Sequence, residues 1–160
     1  MGKTNRNSRL TALLLLGLLT ACSRPDGDYC FVSAETAKHN GGSYTFEPVF
    51  DDTTCVYASC LAARIVTGRI SAENFDVDIW VVSPDGEIRI DRCSLPIKES
   101  PDVRVRLGAG SVADFEWPWR DFSVNGEQSG RWQIVITPAQ ADAVYGIGLS
   151  YKTKLWEKEN

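Results

Sequence analysis

The chain has 160 residues, with 17 Lys and Arg against 21 Asp and Glu, so its formal net charge at pH 7 is −4. Because the chain is acidic and its basic residues are scattered, the composition argues against binding to nucleic-acid phosphates. One histidine and five cysteines leave few groups for catalysis or metal binding, and the length suits a single domain.

Residues 1–21 have the pattern of a secretory signal peptide. Lys3, Arg6 and Arg9 form a basic segment, and an apolar run of about ten residues follows them. Because a membrane span needs roughly twenty apolar residues, this run is too short to cross a bilayer. We therefore predict that residues 1–21 are removed, which leaves 139 residues.

The signal ends in Leu19-Thr20-Ala21-Cys22, which resembles the lipobox of bacterial lipoproteins. The resemblance implies cleavage before Cys22, a diacylglyceryl group on its thiol, and acylation of the new amino terminus, for example by palmitate. Because Ser23 rather than aspartate follows, we expect an anchor in the outer membrane, with residues 22–29 as a lipidated tether. An ordinary signal peptide with a nearby cysteine is the alternative.

Beyond the tether, apolar residues recur with period two, which is typical of half-buried strands. We predict strands at residues 30–34, 44–50, 55–67, 76–82, 87–91, 103–107, 131–137 and 144–151. The sequence Ser83-Pro84-Asp85-Gly86 predicts a hairpin turn, and residues 139–143 a short helical turn. The pattern predicts one all-β domain over residues 30–153, a jelly-roll-like antiparallel β-sandwich, followed by a polar tail at 154–160.

Two strands carry additional information. Residues 76–82 are apolar on both sides toward their end, as in a central strand that is covered on both faces. Along residues 144–151, Tyr145, Ile147, Leu149 and Tyr151 share one face, and Gly146, Gly148 and Ser150 share the other. The small residues predict that something bulky lies close over their face.

Four cysteines remain once Cys22 is assigned to lipid: Cys30, Cys55, Cys60 and Cys93. An even number in an exported protein predicts two disulfides. Cys55 and Cys60 would face opposite sides of one strand, so we favour Cys60 with Cys93 and Cys30 with Cys55. Free buried thiols and a zinc site are the alternatives, and neither the spacing nor the lone His39 supports a metal.

The segment "FEWPWRDF", residues 115–122, contains the candidate contact residues Trp117, Trp119 and Arg120. If the tryptophan face is the core, the indoles fill it. If the segment is a loop or an edge, two indoles with polar rims suit a protein partner or stacking on a sugar ring. Pro118 removes a ladder hydrogen-bond donor and so favours an edge or a bend.

The sequence gives little support for a catalytic site. His39 lies in the polar stretch "KHNGGS", which is typical of a solvated residue rather than a general base. Carboxylates at Asp51-Asp52, Asp114 and Glu116 follow no catalytic pattern. We therefore predict that the protein is not an enzyme and uses no cofactor.

The lipobox, "GRWQIVIT" at 130–137 and the closing "VYGIGLSYK" at 144–152 together resemble small lipoproteins of Bacteroidetes, among them the gliding-motility lipoprotein H family. The resemblance implies a non-enzymatic envelope lipoprotein associated with gliding or protein secretion. The four remaining cysteines depart from that family's pattern. We predict a lipid-anchored accessory or scaffold component with an envelope protein partner, and a glycan-binding module is the alternative.

Overall fold

The computed structural model describes residues 27–98, 101, 103–108 and 110–154. Residues 1–26, with the predicted signal peptide and the predicted lipid attachment at Cys22, lie outside the described residues, and so do residues 155–160. Within the described ranges no helix is long and apolar enough to cross a membrane.

Antiparallel strands make up most of the described chain, which confirms the prediction of an all-β sandwich. The strands are β1 (Gly27–Ser33), β2 (Tyr44–Phe46), β3 (Val49–Phe50), β4 (Val56–Val66), β5 (Asn74–Val82), β6 (Ile88–Pro96), β7 (Arg104–Leu107), β8 (Val112–Phe122), β9 (Gly130–Arg131), β10 (Gln133–Pro138) and β11 (Val144–Lys154). The helical elements are α1 (Ala34–His39) and two single 3₁₀ turns, Thr67–Arg69 and Ala141–Ala143. The second of these turns is the one predicted at 139–143.

Two sheets form the sandwich. The five-stranded sheet has the order β1-β11-β4-β8-β7, the four-stranded sheet has the order β2-β10-β5-β6, and β3 pairs with β9 in a small ribbon. The inner faces supply a continuous apolar core, in which Ile65 and Ile79 are fully buried. Alternation of buried and exposed residues along β5 follows the period of two that predicted it.

Helix α1 was not predicted. Ser33 begins it as N-cap, because its Oγ accepts a hydrogen bond from the Thr36 backbone N–H at 3.3 Å. With six residues the helix is too short to show an amphipathic stripe, and only Ala37 is buried. His39 lies in its last turn.

The small-residue face of β11 is covered, as predicted, by aromatic side chains of β1. A Cβ atom built on Gly146 would lie 2.2 Å from Cζ of Phe31, and one on Gly148 would lie 2.7 Å from the hydroxyl oxygen of Tyr29. Both glycines therefore leave room for rings on the neighbouring strand. Tyr145 departs from the predicted face and is exposed, because a β-bulge between Val144 and Gly146 breaks the alternation there.

Candidate functional site

Trp117 belongs to the core, so the core-filling alternative holds for this residue and it is not a contact residue. Its side chain is 2% exposed and stacks on Phe115 and Phe75, with ring centroids 5.5 and 6.0 Å away. Its indole N–H donates a hydrogen bond of 2.7 Å to the carbonyl oxygen of Pro96. The indole ring is thus packed, and its N–H group is hydrogen-bonded, inside the protein.

Trp119 differs from Trp117 because a β-bulge in β8 separates them. Cys60 pairs with Pro118 and Ser59 pairs with Arg120, so Trp119 is the extra residue on its strand. The bulge turns Arg120 inward, so that it lies on the same face of the sheet as Trp117. Among the described residues the ladder between β7 and β8 ends at Arg104 and Glu116, so it does not require a hydrogen-bond donor from Pro118.

Strand β6 is oriented opposite to what its hydrophobic alternation suggests. Ile88 and Ile90 are 61% and 49% exposed and face outward, whereas Arg89 and Asp91 are half-buried beside the core. The hairpin register places Arg89 opposite Val81 and Asp91 opposite Ile79, both buried residues of β5. An edge strand can present charged side chains to the interior because one of its flanks stays open to water.

The predicted turn at Ser83-Pro84-Asp85-Gly86 sets this register. Gly86 has a φ of 87°, a conformation that other residues rarely adopt, and its N–H donates to the Ser83 carbonyl oxygen at 2.9 Å. The Ser83 N–H donates to the carbonyl oxygen of Glu87 at 3.1 Å, which closes the hairpin. Because the side-chain period is two, a slip by one residue would exchange the faces of Ile90 and Asp91.

Asp91 accepts hydrogen bonds from two guanidinium groups, one on its own strand and one from the opposite sheet. Arg120 of β8 donates from Nη1 to Oδ2 of Asp91 at 3.0 Å, and Arg89 of β6 donates from Nε to Oδ1 at 3.1 Å. The Nε atom of Arg120 is buried and has no hydrogen-bond partner among the described residues. We call these three residues the Asp91 cluster.

A cleft opens between the sheets beside the Asp91 cluster, with a cavity volume of about 240 Å³. We call it the inter-sheet cleft, and its polar and aromatic lining includes Glu87, Arg89, Trp119, Arg120, Gln128 and Trp132. Trp132 donates from its indole N–H to the Gln128 carbonyl oxygen at 2.7 Å, and Gln128 Nε2 donates to Glu87 Oε2 at 3.1 Å. The structure therefore brings the predicted contact residues Trp119 and Arg120 together in one concave site.

The outer side of the four-stranded sheet carries an uncovered apolar surface. Trp80 of β5 is 46% exposed and pairs directly with Ile90 on one side and with Val135 of β10 on the other. Ile88 extends this row, and we call these four residues the apolar face. The prediction that strand 76–82 is covered on both faces holds on the core side only, because nothing in the described chain covers Trp80.

A third surface lies across the outer side of the five-stranded sheet, as a shallow groove of about 530 Å³ between Tyr29 and Phe31 on one side and Arg104 and Arg106 on the other. Asp114 lies on its floor and accepts two hydrogen bonds from Arg64, at 2.7 and 2.9 Å. This hydrogen-bonded ion pair lowers the pKa of the Asp114 carboxyl group. Asp114 is thus held as a structural anion rather than as a proton donor.

Asp52 also has a local structural role. Its Oδ1 accepts hydrogen bonds from the backbone N–H and the hydroxyl group of Thr54, at 2.8 and 2.6 Å. These hydrogen bonds lower the pKa of the Asp52 carboxyl group. In the described part of the chain, no three His, Cys, Asp or Glu side chains come together as a metal site requires.

The predicted disulfides are wrong, because Cys30, Cys55, Cys60 and Cys93 are all free thiols. Cys60 pairs with Pro118 and Ser150 on the outer side of the five-stranded sheet, whereas Cys93 pairs with Val77 in the other sheet. Cys30 is exposed on edge strand β1, and Cys55 is buried before β4. Sequence spacing could not reveal that Cys60 and Cys93 lie in different sheets. Nor could it reveal that Cys30 lies on an edge strand, apart from Cys55.

The accessibility of the four thiols predicts how they react. Burial raises the pKa values of Cys55, Cys60 and Cys93 and so reduces their reactive thiolate form at neutral pH. In a thiol titration of unreduced protein, we expect Cys30 to react first in the native state and all four to react after denaturation. Protection of all four thiols in denatured protein would restore the prediction of two disulfides.

The fold and its surfaces define an antiparallel β-sandwich with a concave inter-sheet cleft and an uncovered apolar face. The chain matches no protein-family model, and comparisons with curated proteins and with solved structures found no similar protein. The resemblance to gliding-motility lipoproteins therefore stays a prediction from the sequence.

Proposed function

We propose that this protein is a lipid-anchored, non-catalytic accessory component of the bacterial cell envelope that docks a protein partner through its apolar face. The observation that carries the proposal is the exposure of Trp80, Ile88 and Ile90 as neighbours on one sheet surface. Single exposed apolar residues are common on proteins, but adjacent large ones on a sheet face are typical of interaction sites.

The composition of the apolar face fits a protein interface. A tryptophan stands at its centre between Val135 and Ile90, and an ion pair between Asp78 and Arg92, 3.6 Å apart, lies on its margin. Protein interfaces combine an apolar centre with a polar rim, and tryptophan is enriched among the residues that dominate binding. The other side of the same strand, Ile79 and Val81, packs into the core, so Trp80 is free to serve binding.

The lipid anchor would restrict where the partner is found. If Cys22 carries the lipid, only residues 22–26 precede β1, and five extended residues reach at most about 18 Å. The sandwich would then stay close to the membrane surface. We therefore expect the partner to be a membrane-bound or membrane-adjacent envelope protein, and the gliding or secretion role implied by the resemblance is compatible with this position.

Substituting Trp80 tests the docking role. We expect Trp80→Ser in the full-length lipoprotein to abolish co-purification of one specific partner from native envelopes and to leave the fold intact. Central interface tryptophans contribute at least about 2 kcal/mol, which corresponds to roughly 30-fold in affinity. Quantitative mass spectrometry of cross-linked, affinity-purified samples provides the measurement.

Two control variants separate the parts of the proposal. Tyr145→Ser removes an aromatic side chain that is 53% exposed on the other sheet, and it should retain the partner. Cys22→Ser should move the protein from the membrane to the soluble fraction. Partner binding that is equal in the Trp80 and Tyr145 variants would contradict docking through the apolar face, and a membrane-bound Cys22→Ser protein would contradict the lipid anchor.

A further inference from the structure

The inter-sheet cleft carries chemistry that the proposed docking function does not use. Its walls include the indole rings of Trp119 and Trp132, and its polar rim includes Glu87, Arg89 and Arg120. Trp132 is buried, packs against Phe50 and Phe122, and donates its indole N–H to a backbone carbonyl. Trp119 is only partly buried, so its ring is the one with surface left for a ligand. Aromatic walls with a few convergent polar groups are typical of small-ligand sites.

The size of the cleft limits the ligand to one ring. Its volume of about 240 Å³ lies below the roughly 300–1,000 Å³ of sites for drug-sized molecules. A single sugar residue, free or at the accessible end of a longer glycan, matches this scale. The cleft is open to solvent on one side, because β6 is the edge strand of its sheet.

The charges around the cleft favour a neutral ligand. The guanidinium groups of Arg89 and Arg120 are balanced by the carboxylates of Asp91 and Glu87, and Asp91 binds both arginines. Because these two positive and two negative charges cancel, the cleft has no net charge that would attract an anionic ligand. A wholly apolar ligand would leave the donors and acceptors of the rim without partners, which is costly when water is displaced.

One donor in this region is unused. The Nε atom of Arg120 is buried and has no acceptor among the described residues, although the same guanidinium group donates to Asp91 through Nη1. Buried polar atoms are nearly always hydrogen-bonded, so this donor beside the cleft calls for a water molecule or a ligand oxygen as its acceptor. A hydroxyl oxygen is such an acceptor and carries no charge.

From these observations we infer that the inter-sheet cleft binds one neutral pyranose ring of a glycan. The C–H face of the ring stacks on the indole of Trp119, a ring hydroxyl oxygen accepts a hydrogen bond from Arg120, and another hydroxyl group donates to the Glu87 carboxylate. No bond is made or broken, so the site is a binding site. It is separate from the apolar face, which lies on the outer side of the four-stranded sheet.

Titration with sugars tests the inference. Full-length protein in a sugar-free detergent is titrated with glucose, galactose, mannose and N-acetylglucosamine, and with glucuronate as an anionic counterpart. We expect at least one neutral sugar to change the tryptophan fluorescence with a dissociation constant of about 1 mM or below, and glucuronate to bind more weakly. Absence of binding by every neutral sugar, or stronger binding of glucuronate, would overturn the inference.

Two variants locate the binding. Arg120→Lys keeps a positive charge beside Asp91 but removes the Nε donor, and Glu87→Gln removes the carboxylate of an exposed side chain while keeping its shape. Each should weaken sugar binding about tenfold, the scale of one charged hydrogen bond. Arg64→Lys, at the Asp114 pair on the other sheet, is the matched control and should bind unchanged. Unaltered affinity in the Glu87 variant, and in the Arg120 variant where it folds, would show that the sugar binds elsewhere.

Discussion

Replacing Trp117 with alanine should lower the free energy of unfolding by about 3–5 kcal/mol, the usual cost of truncating a large buried aromatic side chain. Trp117 is 2% exposed, stacks between Phe75 and Phe115, and donates its indole N–H to the Pro96 carbonyl oxygen. Truncation leaves a cavity at the junction of the two sheets and a carbonyl group without its partner. Urea denaturation followed by circular dichroism measures the loss.

Trp80→Ala is the matched comparison for this prediction, because it removes the same side chain from a site where 46% of it is exposed. We expect its cost to stay near or below 1 kcal/mol, since surface substitutions are usually small in effect. Since native domains are stable by roughly 5–15 kcal/mol, the Trp117 variant risks unfolding at ordinary temperature, whereas the Trp80 variant does not. Equal costs at the two sites would contradict the assignment of Trp117 to the core.

Gly146→Ala should destabilise the protein by about 1–3 kcal/mol, the typical range for overpacking. A Cβ atom at this position lies 2.2 Å from Cζ of Phe31 and 2.8 Å from the carbonyl oxygen of Val32. The phenylalanine ring can rotate away, but the Val32 carbonyl belongs to the backbone of β1 and moves only with the strand. Thermal denaturation of the purified protein gives the difference in stability.

Gly148→Ala serves as the control, because the three atoms nearest to its added methyl group all belong to the Tyr29 side chain, the closest being the hydroxyl oxygen at 2.7 Å. That side chain is 62% exposed and has room to turn toward solvent, so we expect a smaller loss. Adding Phe31→Ala to Gly146→Ala should recover part of the stability. A neutral Gly146→Ala variant would mean that β1 does not lie this close to β11.

The apolar face and the inter-sheet cleft have a common origin in the orientation of β6. With Ile88 and Ile90 outward, the strand extends the row around Trp80, and with Arg89 and Asp91 inward, it supplies the charges that meet Arg120 from the opposite sheet. The apolar face and the polar cleft therefore lie on the two sides of one strand. The Gly86 turn maintains this arrangement by holding the hairpin in register.

Much of the architecture follows from local patterns in the sequence. Period-two alternation did not predict β8, and it gave residues 44–50 as one strand where the structure has β2 and β3. It predicted the remaining long strands, Pro84 and Gly86 predicted the hairpin turn, and Gly146 and Gly148 predicted a bulky cover that Phe31 and Tyr29 supply. These predictions are confirmed because each depends on residues that are near each other in the chain or on the pleat of one strand. Helix α1 was missed because its six residues are too few to show a period of 3.6.

The apolar face and the inter-sheet cleft depend on contacts that no local pattern specifies. Alternation shows that Ile90 and Asp91 face opposite sides but does not say which side is the core, and that choice comes from pairing with β5. Likewise, the bulge that separates Trp117 from Trp119 arises where β8 pairs with β4. The thiols stay unpaired because the layers keep Cys60 and Cys93 apart. Strand periodicity is a property of the chain itself, whereas the face that each strand buries depends on which distant strands it meets.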